Sequence, residues 1–180
     1  NDDWGVLFDK EKTALMQAPT SIPDSYVIPD SVTSIGDCAF SFCRNLTNVV
    51  LPDNLASIGD YAFHYCENLT DIVIPDGLTS IGESAFYNCR RLTSITIPAS
   101  VTFIGERAIS YCDSLTGIHV DENNPNYSSD DRGVLFDKEK TKAHRTDYNN
   151  PCDCQYCRNY YKHIENNREL VEFLNDFGID

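Results

Sequence analysis

The chain has 180 residues, enough for one domain with a small appendage and a sizeable core. Its formal charge of −14 repels a nucleic-acid backbone or an anionic membrane and suits a neutral or basic partner. No apolar run reaches membrane-spanning length, and Asp2, Asp3, Asp9, Lys10, Glu11 and Lys12 break up any leader-like start, so no membrane insertion is expected. The chain opens on Asn1, which leaves the earlier removal of a leader open.

The first element is a hairpin. GVLF at 5–8 reads as a strand, DKEK as its turn and TALMQAP as the returning strand. The nonapeptide GVLFDKEKT recurs letter for letter at 133–141, as punctuation at both ends of whatever lies between. The first copy is expected to cover the N-terminal edge of the following sheet, which would otherwise pair with other chains.

Between the copies lies an internal repeat. Cys43, Cys66, Cys89 and Cys112 recur every 23 residues, as do Pro29, Pro52, Pro75 and Pro98. Ile35, Ile58, Ile81 and Ile104 keep the period, each followed by glycine. Ala39, Ala62, Ala85 and Ala108 keep it too, as do Leu46, Leu69, Leu92 and Leu115. A fixed period of this length means stacked units, none able to bury its apolar face alone, and hence a solenoid. Within a unit, LTNVVLP at 46–52 alternates as a short half-buried strand closed by a proline; LTDIVIP and LTSITIP are its equivalents. Gly59 is read as a tight turn. Asp37, Asp60, Glu83 and Glu106 are read as caps of one-turn helices, with a bound cation as the alternative for this acidic column. Phe40, Phe63 and Phe86 fill one slot, with Ile109 in the last unit. The cysteine column is read as buried, inert thiols without disulfides.

Written out in register, the segment IPDSVTSIGDCAFSFCRNLTNVVLPDNLASIGDYAFHYCENLTDIVIPDGLTSIGESAFYNCRRLTSITIP closely resembles the BspA-like, or Treponema-type, leucine-rich repeats, over residues 22–120 and more loosely on the flanks. The resemblance implies an α/β leucine-rich-repeat solenoid with parallel strands on the concave side and short helical turns on the other. It also implies protein or surface recognition rather than catalysis, in a secreted or cell-surface protein, with a cytoplasmic location left open. The chain is expected to act as a monomer.

After the polar loop DENNPNYSSDDR and the second nonapeptide the apolar pattern is lost, which divides the chain into a solenoid with hairpin flanks over 1–142 and a second segment over 143–180. That segment reads as two short helices. Cys157, Tyr160, Tyr161 and Ile164 share one face, and Leu170, Val171, Leu174 and Phe177 share another. Being too small for a core of its own, this hairpin is expected to dock on the solenoid end. Its C-x-C-x-x-C cluster, Cys152, Cys154 and Cys157, admits three readings: zinc ligands, a disulfide, or free thiols. His163 lies about 240° round the helix from Cys157 and is poorly placed as a fourth ligand, whereas His144 is freer. No metal or other cofactor is assigned. The segment also resembles the C-x-C-x-x-C-R-N ending of an uncharacterised bacterial domain.

No catalytic motif is present: there is no G-x-S-x-G, H-E-x-x-H or phosphate-cradling glycine loop, and His64 and His119 have no nucleophile or carboxylate at a useful spacing. The repeat frame instead places Ser25, Val27, Asn48, Val50, Asp71, Val73, Ser94, Thr96, Gly117 and His119 on the outward face of the sheet. Asp30, Asp53 and Asp76 form an acidic rim just past the prolines. This face is either a binding surface or a set of positions that merely satisfy strand propensity. An alternative role is a scaffold presenting the cysteine cluster.

Overall fold

Asp9 makes the first turn. Its Oδ1 accepts from the Thr13 and Ala14 N–H groups (2.7 and 2.9 Å) and its Oδ2 from the Thr13 hydroxyl (2.8 Å), while Lys12 takes a left-handed conformation at φ 56°. The DKEKT sequence is thus a turn whose polar groups close on themselves. It joins β1 (Leu7–Phe8) antiparallel to β2 (Ala14–Gln17), the expected hairpin. The computed structural model describes residues 2–129 and 135–137, all within one compact unit, Asn1–Lys138.

The coils that follow are stacked and parallel. The alternation predicted from the repeat forms β3 (Ser25–Val27) and, one period on, a strand at Asn48–Val50; Ser25 pairs with Asn48, Tyr26 with Val49 and Val27 with Val50. A second strand per coil, not anticipated from the sequence, precedes each glycine: β4 (Ser34–Ile35). With the Asn48–Val50 strand numbered β5, its successors are β6 (Ser57–Ile58) and β7 (Ser80–Ile81). The set is completed by β8 (Ser94–Ile97), β9 (Phe103–Ile104) and β10 (Gly117–Val120). The second ladder runs β1-β2-β4-β6-β7-β9, so the returning strand of the hairpin covers its first edge. The first ladder comes in two pieces, β3 with β5 and β8 with β10. The third coil joins β5 through one bridge, Asn48 to Asp71, rather than through a continuous strand.

The expected one-turn helices are absent: no helix occurs among the described residues. Two columns of residues in the turns are left-handed instead. Cys38, Tyr61, Ser84 and Arg107 form one, and Phe42, Tyr65, Asn88 and Tyr111 the other. This conformation turns alternate N–H groups toward the next coil: Cys38, Phe40 and Phe42 donate to the carbonyls of Asp60, Ala62 and His64 at 2.7–2.8 Å. A helix would spend those donors internally; here they tie coil to coil. The acidic column changes role accordingly. Asp37 accepts from the Asp60 N–H (2.9 Å) and Asp60 from the Glu83 N–H (2.7 Å), so these carboxylates bridge neighbouring coils rather than cap helices.

The glycines likewise serve close approach, not tight turns. A Cβ on Gly59 would sit 2.8 Å from the Asp37 nitrogen and the Gly36 carbonyl carbon in the coil before.

Inside, Phe40, Phe63 and Phe86 are fully buried and stacked, with ring centroids 5.0 and 5.3 Å apart and planes within 4°. Tyr26 tilts against Phe40, and its hydroxyl donates to Asp2 Oδ2 at 2.5 Å, sealing the N-terminal end. The cysteine column is reduced. Cys66, Cys89 and Cys112 donate to the carbonyls of Phe40, Phe63 and Phe86 at 3.1–3.2 Å. Burial pushes the Cys43 thiol up to about 11 and Cys112 up to about 12, so both stay protonated and unreactive at neutral pH.

At the other end, the loop read as simply polar contains a plug. Asn124, 1% exposed, donates to the carbonyls of Pro98 (2.8 Å) and Val101 (3.0 Å) and accepts from the Asn126 and Tyr127 N–H groups. The Tyr127 hydroxyl accepts from the Ile104 N–H (2.8 Å). From there β11 (Tyr127–Ser129) pairs antiparallel with β12 (Leu135–Asp137), which lies in the second nonapeptide. The first copy of this peptide therefore pairs with the strand C-terminal to it, and the second copy with the strand N-terminal to it.

Candidate functional site

Alternation along the first ladder sends Tyr26, Val49, Ile72 and Ile95 into the core and their neighbours outward. Ser25, Val27, Asn48, Val50, Asp71, Val73, Thr96 and His119 are exposed, and Ser94 and Gly117 half-buried. Pairing in register sets Val27 beside Val50 and Thr96 beside His119. Val73, at 82% exposed, is more open to solvent than Val27 or Val50 and lies in the coil that lacks a regular strand. Asp30, Asp53 and Asp76 are exposed, each within the turn in which the N–H three residues past the proline returns to the proline carbonyl. The result is a narrow β-branched stripe edged by carboxylates.

A second surface was not foreseen. Phe42, Tyr61, His64, Tyr65, Tyr87 and Tyr111, all in the turns, form a continuous aromatic strip. Phe42 stacks on Tyr65 (centroids 5.2 Å, 19°) and His64 on Tyr87 (5.2 Å, 30°). Tyr87 tilts against Tyr111 (4.9 Å), and Tyr61 meets His64 edge to face (5.3 Å). Phe42 and Tyr111, at the two ends, are about half exposed. Four of these residues, Phe42, Tyr61, Tyr65 and Tyr111, are left-handed, a conformation that costs a side chain on the order of 1–2 kcal/mol. The fold does not require rings there: Ser84 and Asn88 occupy the same two columns in the third coil.

Tyr61 donates its hydroxyl to Glu83 Oε1 (2.8 Å), and that bond, with the Glu83 charge, raises the phenol above its ordinary range. Burial among the rings lowers His64 below the usual histidine value, so it is neutral at neutral pH. Arg44 pairs with Glu67 (3.2 Å) and Arg90 with Asp113 (3.8 Å) along the border.

Neither histidine of the described residues has the setting of a general base: His64 lies among Phe42, Tyr61, Tyr65 and Tyr87, and His119 stands on the open sheet face. No cluster of metal-ligating side chains occurs among the described residues, nor any helix long and apolar enough to cross a membrane. Cys152, Cys154, Cys157, His144 and His163, with the helical hairpin expected to carry most of them, lie outside the described residues.

Two parallel ladders per coil at a 23-residue period are the geometry of a leucine-rich-repeat array. The BspA type leucine rich repeat region matches residues 20–130 in six copies. The chain belongs to that family. Among solved structures this BspA-type chain is similar to the leucine-rich repeat protein of T. pallidum, with 25% identity and a TM-score of 0.55 over 64% of this chain and 67% of that one. It is similar to one from Bacteroides capillosus at 32% identity and 0.55, over 60% and 86%. It is also similar to the pneumococcal vaccine antigen PcpA at 26% and 0.50, over 72% of this chain but 39% of that one. No curated protein matches it.

What hid the strip was its distribution. Its members fall in three different columns of the repeat, and no column is aromatic in every coil. The signal that could have found it is the run Tyr61, Phe63, His64, Tyr65 in a single turn, where only Phe63 is needed inside.

Proposed function

We propose that this chain is a non-enzymatic recognition module, acting outside the cell as a monomer, and that it binds a neutral or basic protein through the outward face of its first ladder. Val73, exposed and in line with Val27 and Val50, carries the reading: an apolar stripe on open sheet is surface that a partner can desolvate. Ser25, Asn48, Asp71, Ser94, Thr96 and His119 supply hydrogen-bonding groups around it, and Asp30, Asp53 and Asp76 an edge of the charge that steers a basic partner. An extracellular setting is supported by similarity to a vaccine antigen. Binding of this kind needs no cofactor.

The test is binding to a panel of purified matrix and cell-surface proteins. Val50→Lys with Val73→Lys lowers affinity at least about tenfold for any protein that binds, as expected for the centre of an interface. The melting curve stays unchanged, because both side chains are exposed. Serine at Cys152, Cys154 and Cys157 leaves binding intact. The opposite pattern would favour a scaffold that presents those cysteines.

A further inference from the structure

We propose that the aromatic strip is a second interaction surface, independent of the sheet face, and that it takes an arginine-rich segment of a protein partner. Three observations converge on it. Phe42 and Tyr111 leave large apolar rings half in water at either end of a continuous row of rings, so the strip is unsatisfied where it is most accessible. Four of its six rings are held at left-handed positions where the same fold accepts serine or asparagine, so stacking in the free protein is not what the turns require.

The charge beside the strip is negative. Asp37, Asp60, Glu83 and Glu106 stand exposed at the start of the same turns, Glu83 is bonded to the strip through Tyr61, and no cation pairs with them in a salt bridge among the described residues. The bordering Arg44 and Arg90 are already engaged by Glu67 and Asp113. Arg107 lies near Tyr87 and contributes one positive charge against the four acids of the column. A guanidinium suits this setting better than a neutral group: it stacks on tilted rings, and its fork reaches a carboxylate at their edge. A neutral sugar could stack on the rings and donate hydroxyls to the carboxylates, but it brings no positive charge to offset the acidic column. A second copy would bring the same negative column against itself.

The experiment uses the full chain and peptides alternating arginine with glycine, glutamine with glycine, or glutamate with glycine, alongside a neutral glucan oligosaccharide. The arginine peptide binds, the others do not, and the affinity falls as salt is raised. Exchanging Phe42, Tyr65 and Tyr111 for asparagine, a residue these turns accept, lowers that affinity by about tenfold or more with the melting curve retained. Glu83→Gln, which keeps an acceptor for Tyr61, weakens it by about two- to threefold and flattens the salt dependence. Glu11→Gln, which removes an exposed acid in the N-terminal hairpin turn, leaves arginine-peptide binding unchanged. Equal binding by the glutamine peptide, undiminished binding by the asparagine variant, strip-dependent binding of the glucan, or dimerisation lost with the rings would each overturn the proposal. If the triple variant fails to fold, Glu83→Gln and the salt titration still decide it.

Discussion

Phe63→Ala lowers the stability of the solenoid by about 3–5 kcal/mol, the loss typical of removing a phenyl ring from a closed core. Phe63 has no exposed surface, and its ring lies between those of Phe40 and Phe86 at 5.0 and 5.3 Å. Its removal leaves a void that three coils share. None can collapse into it without breaking the 2.7 Å bonds that the Phe40 and Phe63 N–H groups give to the following coils. Against a total stability of about 5–15 kcal/mol the loss is large, and in an array stabilised by neighbours it falls on the middle. Chemical denaturation measures it. Phe63→Leu, which keeps most of the volume, costs about 1.5 kcal/mol or less. A midpoint for the alanine variant equal to that of the wild type would mean the rings are not the core.

Gly82→Ala has an effect of similar size from one added methyl group. Its Cβ would lie 2.5 Å from the Gly59 carbonyl carbon and 2.6 Å from the Asp60 nitrogen. Both are backbone atoms of the previous coil, held by the bond from the Gly82 N–H to the Ile58 carbonyl (2.8 Å) and by Asp60 Oδ1 on the Glu83 N–H. The coils must separate there, which costs about 3 kcal/mol or more. Gly77→Ala is the comparison: its nearest contact is the Asp53 carbonyl oxygen at 3.1 Å, and a loop can give by that amount, so the loss stays within about 1 kcal/mol. Thermal melts of the two variants side by side decide it; equal midpoints would remove close coil contact as the reason for the glycine column.

The first ladder was legible because Leu46, Val49 and Leu51 alternate with exposed neighbours and the whole pattern repeats, so one parity error would have turned every side chain over. The N-terminal hairpin was legible because Asp9 and Thr13 are turn chemistry. The second ladder was not: Ser57–Ile58 is two residues long, too short for alternation to register. The turns misled for a physical reason. A glycine, an acid and apolar Ala62, Phe63 and Cys66 together imitate a capped helical turn, whereas the left-handed Tyr61 and Tyr65 that prevent it are types that rarely take that conformation. The inward residues of the turns could be read as core; the outward rings could not be read as a strip, because their continuity runs diagonally from coil to coil.

The fold rests on coils that are interchangeable because each meets its neighbours through the same register. Excising residues 55–77, one full period of 23, joins Asn54 to Leu78 and leaves every ladder in register. Excising residues 55–76 shifts the later coils by one position. Hydrogen exchange on the two shortened proteins tests this directly. The in-register protein folds, with slow exchange at the Phe40 and Phe86 amides and less total stability than the full chain, whereas the other loses protection beyond the junction. Equal protection in both, or collapse of both, would contradict the stacked-coil origin of the fold and of the surfaces built on it.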